Sequence, residues 1–99
     1  MAADLKAKDD SGRLQLTGQL DFSSVAGLRS SLSPYLKKGS RLEIDLTAVD
    51  RTNSAALALL LQWQQDALDR NCRINFINLP EKLIDIAELH GIKGLLPIS

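Results

Sequence analysis

Cysteine is all but missing from this 99-residue chain. Cys72 stands alone, so no intrachain disulfide can form, and a reducing compartment is the expected setting. Net charge is missing too. The 12 basic residues are matched by 12 acidic ones, which argues against nonspecific binding to nucleic acid or to an anionic membrane. Long apolar runs are absent: the longest, residues 55–61, falls far short of the roughly 20 residues a membrane span needs. The first residues, Met-Ala-Ala-Asp-Leu-Lys, carry no apolar signal region. No linker, repeat or low-complexity tract divides the chain, so one domain over residues 1–99 is expected. No Ser/His/Asp order, carboxylate pair or Gly-rich phosphate loop is present. His90 is the only histidine, with no second His or Cys at ligand spacing. A binding protein without catalysis, cofactor or metal is therefore the expectation.

The most informative stretch is residues 42–63. Leu42, Ile44 and Leu46 alternate with polar residues and predict the inward face of a strand over residues 41–46. A short polar loop is expected over residues 47–53, then a very apolar helix from Ser54 to about Arg70. That loop delivers Ser54 to the electropositive end of a helix, where unpaired backbone N–H groups can hold an acidic group. Upstream, Leu5 and Ala7 indicate a short first strand, and Asp9-Asp10-Ser11-Gly12 a turn. Leu14, Leu16, Gly18 and Leu20 share one face of a second strand. Residues 21–38 read as a helix, capped by Asp21 or Ser23 and striped by Val25, Leu28, Leu32 and Leu36. Pro34 breaks it near Ser33. Residues 72–77 predict another strand. Pro80 opens a helix over residues 81–90, which Gly91 ends. The apolar tail, residues 92–98, can pack back as a short extra strand. Helices between strands imply parallel crossovers, whereas the tight first turn implies an antiparallel pair. The expected fold is α/β, a mixed sheet of four or five strands with helices against it.

Three stretches together resemble the STAS domain. Gly18-Gln19-Leu20-Asp21 is similar to that family's Gly-Glu-Leu-Asp. Ile44-Asp45-Leu46-Thr47-Ala48-Val49, followed by Asn53-Ser54-Ala55-Ala56-Leu57, is similar to its Asp-Leu-Ser-x-Val and Asp-Ser-Ser/Ala-Gly-Leu signature. Leu83 to Leu96 resembles its last helix and tail. Ala55-Ala56-Leu57-Ala58-Leu59-Leu60-Leu61 is nearest the MlaB-like branch. By resemblance, such a protein is a cytoplasmic, non-catalytic subunit, peripheral to the inner membrane of a Gram-negative bacterium. It binds the ATPase of an ABC-type phospholipid transporter and supports outer-membrane lipid asymmetry. In the alternative, it is an anti-sigma-factor antagonist that binds a kinase and is switched by phosphorylation of the serine matched by Ser54. Two departures bear on this. Asn53 replaces the usual Asp, which puts the phospho-switch in doubt, and Ala56 stands where Gly is frequent.

Several residues have both a plain and a sharp reading. Ser54 is either a helix cap or a partner contact and candidate phosphosite. Thr52 is a second hydroxyl of the same loop, or a solvated loop residue. At about 100° per residue, Leu57, Leu60, Leu61, Gln64 and Leu68 form the main face of the helix. Leu59 and Trp63 lie off it, with Ala55 and Ala56 alongside. That second stripe is either covered by a neighbouring helix or is a partner surface with Trp63 as anchor. The expected partner surface is thus Thr52, Asn53, Ser54, Ala55, Leu59 and Trp63. Cys72 reads as a small buried hydrophobe, and Glu43 and Asp45 as a solvated strand edge rather than a catalytic pair.

Overall fold

A computed structural model describes residues 3–9 and 11–98. The order is β1 (Asp4–Ala7), β2 (Arg13–Leu20), α1 (Phe22–Ser31), β3 (Arg41–Thr52), α2 (Ser54–Asp69), β4 (Arg73–Ile77) and α3 (Glu81–Leu89). Short 3-10 turns follow α1, at Ser33–Tyr35, and α3, at Lys93–Leu95. The sheet runs β1-β2-β3-β4. The first pair is antiparallel and the other two are parallel, the mixed α/β architecture read from the sequence. The sheet has four strands, within the four or five expected, and the apolar tail adds only a single parallel bridge, Ile98 to Phe76. Asp10, part of the expected turn, lies outside the described residues.

Alternation decides which face is covered. Leu14, Leu16, Leu20, Leu42, Ile44, Leu46, Ile74 and Phe76 are buried on one face. Gln15, Thr17, Gln19, Glu43, Asn75 and Ile77 are half-buried on the other. The helices therefore pack on the apolar face and leave a polar one. Gly12 fixes the turn between β1 and β2 against β3: its φ is +86°, and a Cβ there would stand 2.5 Å from the Arg41 carbonyl oxygen. No side chain fits that approach.

Three sequence expectations are corrected. The helix over residues 21–38 stops at Ser31. Pro34 sits in the 3-10 turn, where its fixed φ and missing N–H are tolerated, and Leu36 still reaches the core. The polar loop over residues 47–53 is strand through Thr52. Two bulges hide it. Gln15 pairs Asp45 but Thr17 pairs Ala48, and Gly18 pairs Val49 but Gln19 pairs Arg51. β3 thus carries an extra residue at each place, which destroys the period-2 pattern. Gly18, at φ +90°, sits at the second shift. Lastly, Leu68 belongs to no buried face; it is 62% exposed near the end of α2.

Candidate functional site

The parallel strands β2 and β3 end in register, Leu20 opposite Thr52. Each then turns into a helix through a polar cap, Asp21 for α1 and Asn53 for α2. Neighbouring strands lie about 4.8 Å apart, so the first helical residues, Phe22 and Ser54, start side by side at one end of the domain. A cleft of about 570 Å³ opens there. Gln19, Asp21 and residues 49–53 line it on the strand side, and Pro80 and Lys82 from the start of α3 close it opposite.

Asn53 is the cap of α2. Its Oδ1 accepts from the Ala55 N–H at 2.8 Å. The reading of Ser54 as cap is therefore overturned: Ser54 is the first helical residue, and it is exposed. An extended Asn side chain reaches the first-turn amides better than a serine already inside the helix. Thr52 is 8% exposed, and among the described residues its Oγ1 is the buried side-chain atom with no hydrogen-bond partner. It is not a solvated loop residue.

The exposed stripe is also overturned. Ala55, Leu59 and Trp63 are 2%, 4% and 0% exposed. Trp63 lies under α1, and its indole Nε1 donates to the Arg29 carbonyl at 3.1 Å. Arg29 reaches back to Asp66 across the same seam. α2 is apolar on two sides because the sheet covers one and α1 the other. None of these three side chains is available to a partner unless α1 moves. Of the six expected contact residues, the structure presents Ser54 and, in part, Asn53.

Asp45 is not on a solvated edge. It is 5% exposed. Its carboxylate accepts from Lys8 Nζ (2.8 Å), Thr47 N (2.9 Å), Thr47 Oγ1 (2.5 Å) and Asn78 Nδ2 (3.1 Å). Burial pushes its pKa up. The hydrogen bonds from Lys8, Thr47 and Asn78 more than offset that and hold the carboxyl well below the ordinary carboxylate range. Asn78, at φ +56°, ends β4 beside it. Asp45 therefore marks where β4 stops and β3 continues. This gives a physical reason for the Asp-Leu-Thr sequence: the hydroxyl and N–H two residues on bond the carboxylate and shape the first bulge. Cys72, 3% exposed, contacts Ser40 Oγ at 3.2 Å and is a buried small side chain, as expected.

Phe22 escaped the sequence reading. It is 73% exposed at the mouth of the first corner. The available signal was its place directly after a strong cap and outside the Val25, Leu28, Leu32 stripe. Among the described residues no group of three His, Cys, Asp or Glu side chains could hold a metal. No described helix is long and apolar enough to cross a membrane.

The comparisons with known proteins agree with this geometry. The chain is similar to the anti-sigma-B factor antagonist of Bacillus subtilis (strain 168), 26% identical over 96 residues, covering 97% of this chain and 88% of that protein. Its fold is shared with an anti-sigma factor antagonist from Mycobacterium paratuberculosis. That structure has a TM-score of 0.79 at 17% identity, with 99% of this chain and 86% of the other covered. The unphosphorylated anti-sigma factor antagonist SpoIIAA superposes at TM-score 0.70 and 13% identity, over 99% and 88%. The family model described as the Mlab STAS domain matches residues 3–97. With its signature residues at the ends of β2 and β3 and at the start of α2, the chain belongs to the Mlab-type STAS-domain family.

Proposed function

We propose that this protein is a non-catalytic accessory subunit that binds the ATPase of an ABC-type phospholipid transporter, on the cytoplasmic side of the inner membrane, and supports its assembly or activity. The observation that carries the reading is the match of nearly the whole chain to the Mlab branch of the family. The contact surface is the end of the domain where Phe22 and Ser54 start their helices side by side. An exposed aromatic next to a hydroxyl at a helix N-terminus combines apolar burial with directional hydrogen bonding. Asn53 and Ser54 stay in the surface assigned from the sequence. Phe22 takes the anchor role first given to Trp63.

Ser54 tests the reading. Ser54→Glu places a charge on an exposed residue at the favourable end of a helix, so the fold tolerates it. In a desolvated interface the same charge is costly. Ser54→Glu and Phe22→Ala are each expected to weaken capture of the purified transporter ATPase by roughly tenfold or more, with melting temperatures close to wild type. Wild-type protein that fails to bind the ATPase, or two variants that bind it normally, would sink the proposal.

A second reading has its own support in the similarity to the Bacillus subtilis antagonist and in the exposed Ser54 hydroxyl. In that reading the partner is an anti-sigma kinase and Ser54 is its phosphosite. Mass spectrometry of Ser54 after incubation with such a kinase and ATP distinguishes the two.

A further inference from the structure

β3 is longer than the strand beside it. It spans Arg41–Thr52, but β4 pairs only as far as Asp45, opposite Ile77. Asn78 then turns left-handed and leaves the sheet. On the other side, β2 stays paired with β3 to Thr52. Among the described residues, no strand lies beside residues 48–52 on the β4 side. Two residues past the last one paired with β4, the Thr47 N–H is taken by the Asp45 carboxylate at 2.9 Å. Beyond it the edge runs along the cleft that Pro80 and Lys82 close from the other side.

We propose that this free edge of β3 receives an extended backbone segment of the protein partner, which adds as a short strand in the cleft. The inference rests on the ATPase-binding role proposed above and names how that partner is held.

Hydrogen-bonding chemistry fixes the occupant. A strand edge presents alternating N–H and C=O groups, and an extended peptide backbone matches that spacing. Charge does not favour an ionic ligand. The cleft is lined by two acids, Asp21 and Asp50, and two bases, Arg51 and Lys82. A polyanion or a strongly basic peptide would meet like charges there, whereas a main chain is neutral. The edge also ends on a defect. The buried Thr52 hydroxyl has no partner, a condition that native proteins rarely leave unanswered and that marks this end of β3 as incomplete by itself. Two bulges and the charged Asp50 and Arg51 keep the edge from pairing indiscriminately, as protected edges do. With so few exposed residues, the added strand orients the partner, while the Phe22 and Ser54 corner supplies apolar contact.

Amide hydrogen exchange tests this on the intact protein, alone and with the purified transporter ATPase. In the free protein, the amides of residues 48–52 that do not bond to β2 should exchange at least about a hundredfold faster than those of Glu43, Ile44 and Asp45, which lie between two strands. Saturating ATPase should slow those same amides by about tenfold or more. Amides already slow in the free protein would mean a closed edge and overturn the proposal. ATPase that binds without protecting them would overturn it and leave the accessory-subunit role standing. ATPase that does not bind would remove both. Protection that grows with concentration of the protein alone would assign the edge to a second copy of this chain, again against the proposal.

Discussion

Two strand-to-helix corners stand next to each other, and they are built to different standards. At the first, Asp21 accepts from the N–H groups of Ser23 and Ser24, while Ser24 Oγ accepts from the Asp21 N–H and donates to the Gln19 carbonyl. Every polar group in that capping box has a partner. At the second, Asn53 makes one capping bond, Ser54 is exposed, and Thr52 is buried with its hydroxyl unsatisfied. The strands leading in are alike in outrunning their outer neighbours: β1 pairs β2 only as far as Thr17, and β4 pairs β3 only as far as Asp45. The difference lies in the caps and in the Thr52 hydroxyl. Two corners of one sheet, with registered strand ends and caps at equivalent positions, differ in how completely they are satisfied. The first corner satisfies its own polar groups, and the second leaves the buried Thr52 hydroxyl without a partner.

The sharpest break of that comparison removes what the two corners share. Trp63 sits between the two helices and is fully buried. Trp63→Ala should cost roughly 3–5 kcal/mol, the usual loss for a large core side chain, measured by urea denaturation. A loss below about 1 kcal/mol would return Trp63 to the role of interface anchor. Next is the carboxylate that lets β3 outrun β4. Asp45→Asn keeps the shape but loses the charge that Lys8, Thr47 and Asn78 address. Lys8 is half exposed and can turn to water, so the cost is set at about 2 kcal/mol rather than the full penalty of a broken buried pair. The pH dependence has a definite sign. The Asp45 pKa is lowered by folding, so its contribution is complete above the unfolded value of about 4 and is lost as pH falls below it. Wild type should destabilise over that acidic limb, and Asp45→Asn should show a flatter one.

The caps give a smaller contrast. Asp21→Ala, which removes the capping box, should lower the melting temperature more than Asn53→Ala. The single Asn53 bond is worth about 1 kcal/mol. Equal losses would erase the distinction between the corners. The smallest effect has the opposite sign. Thr52→Val keeps the β-branched shape and deletes the unsatisfied hydroxyl, so the free protein should gain about 1 kcal/mol. A loss instead would show that the hydroxyl has a partner in solution and that the second corner is as complete as the first.

Much of this was legible in the residues, and the illegible parts have physical causes. The first half of β3 declared itself through Leu42, Ile44 and Leu46. Its second half did not, because two bulges place Ala48 and Val49 together as half-buried and Asp50 and Arg51 together as exposed. The helix at Ser54 was plain from its apolar density. Which of its faces met solvent was not, since α1 and the sheet each cover one and only the packing reveals it. Asp45 looked like a strand-edge acid because the lysine that answers it lies 37 residues away. The hydroxyl-rich start of a helix was legible, since α2 begins at Ser54. Of the six residues assigned to a partner surface there, four (Thr52, Ala55, Leu59 and Trp63) are buried, and the exposed Phe22 was not among them.

The buried indole between the helices has a practical consequence. The chain's sole tryptophan is an intrinsic fluorophore set in the α1–α2 seam, away from water and hydrogen-bonded to the Arg29 carbonyl. Its emission should be that of a dry, rigid site in the free protein. A ligand that only touches the Phe22 and Ser54 end would leave the colour unchanged. One that prises the two helices apart would wet the ring and shift it to the red. The molecule thus reports, without any added label, whether its partner docks on the surface or opens it.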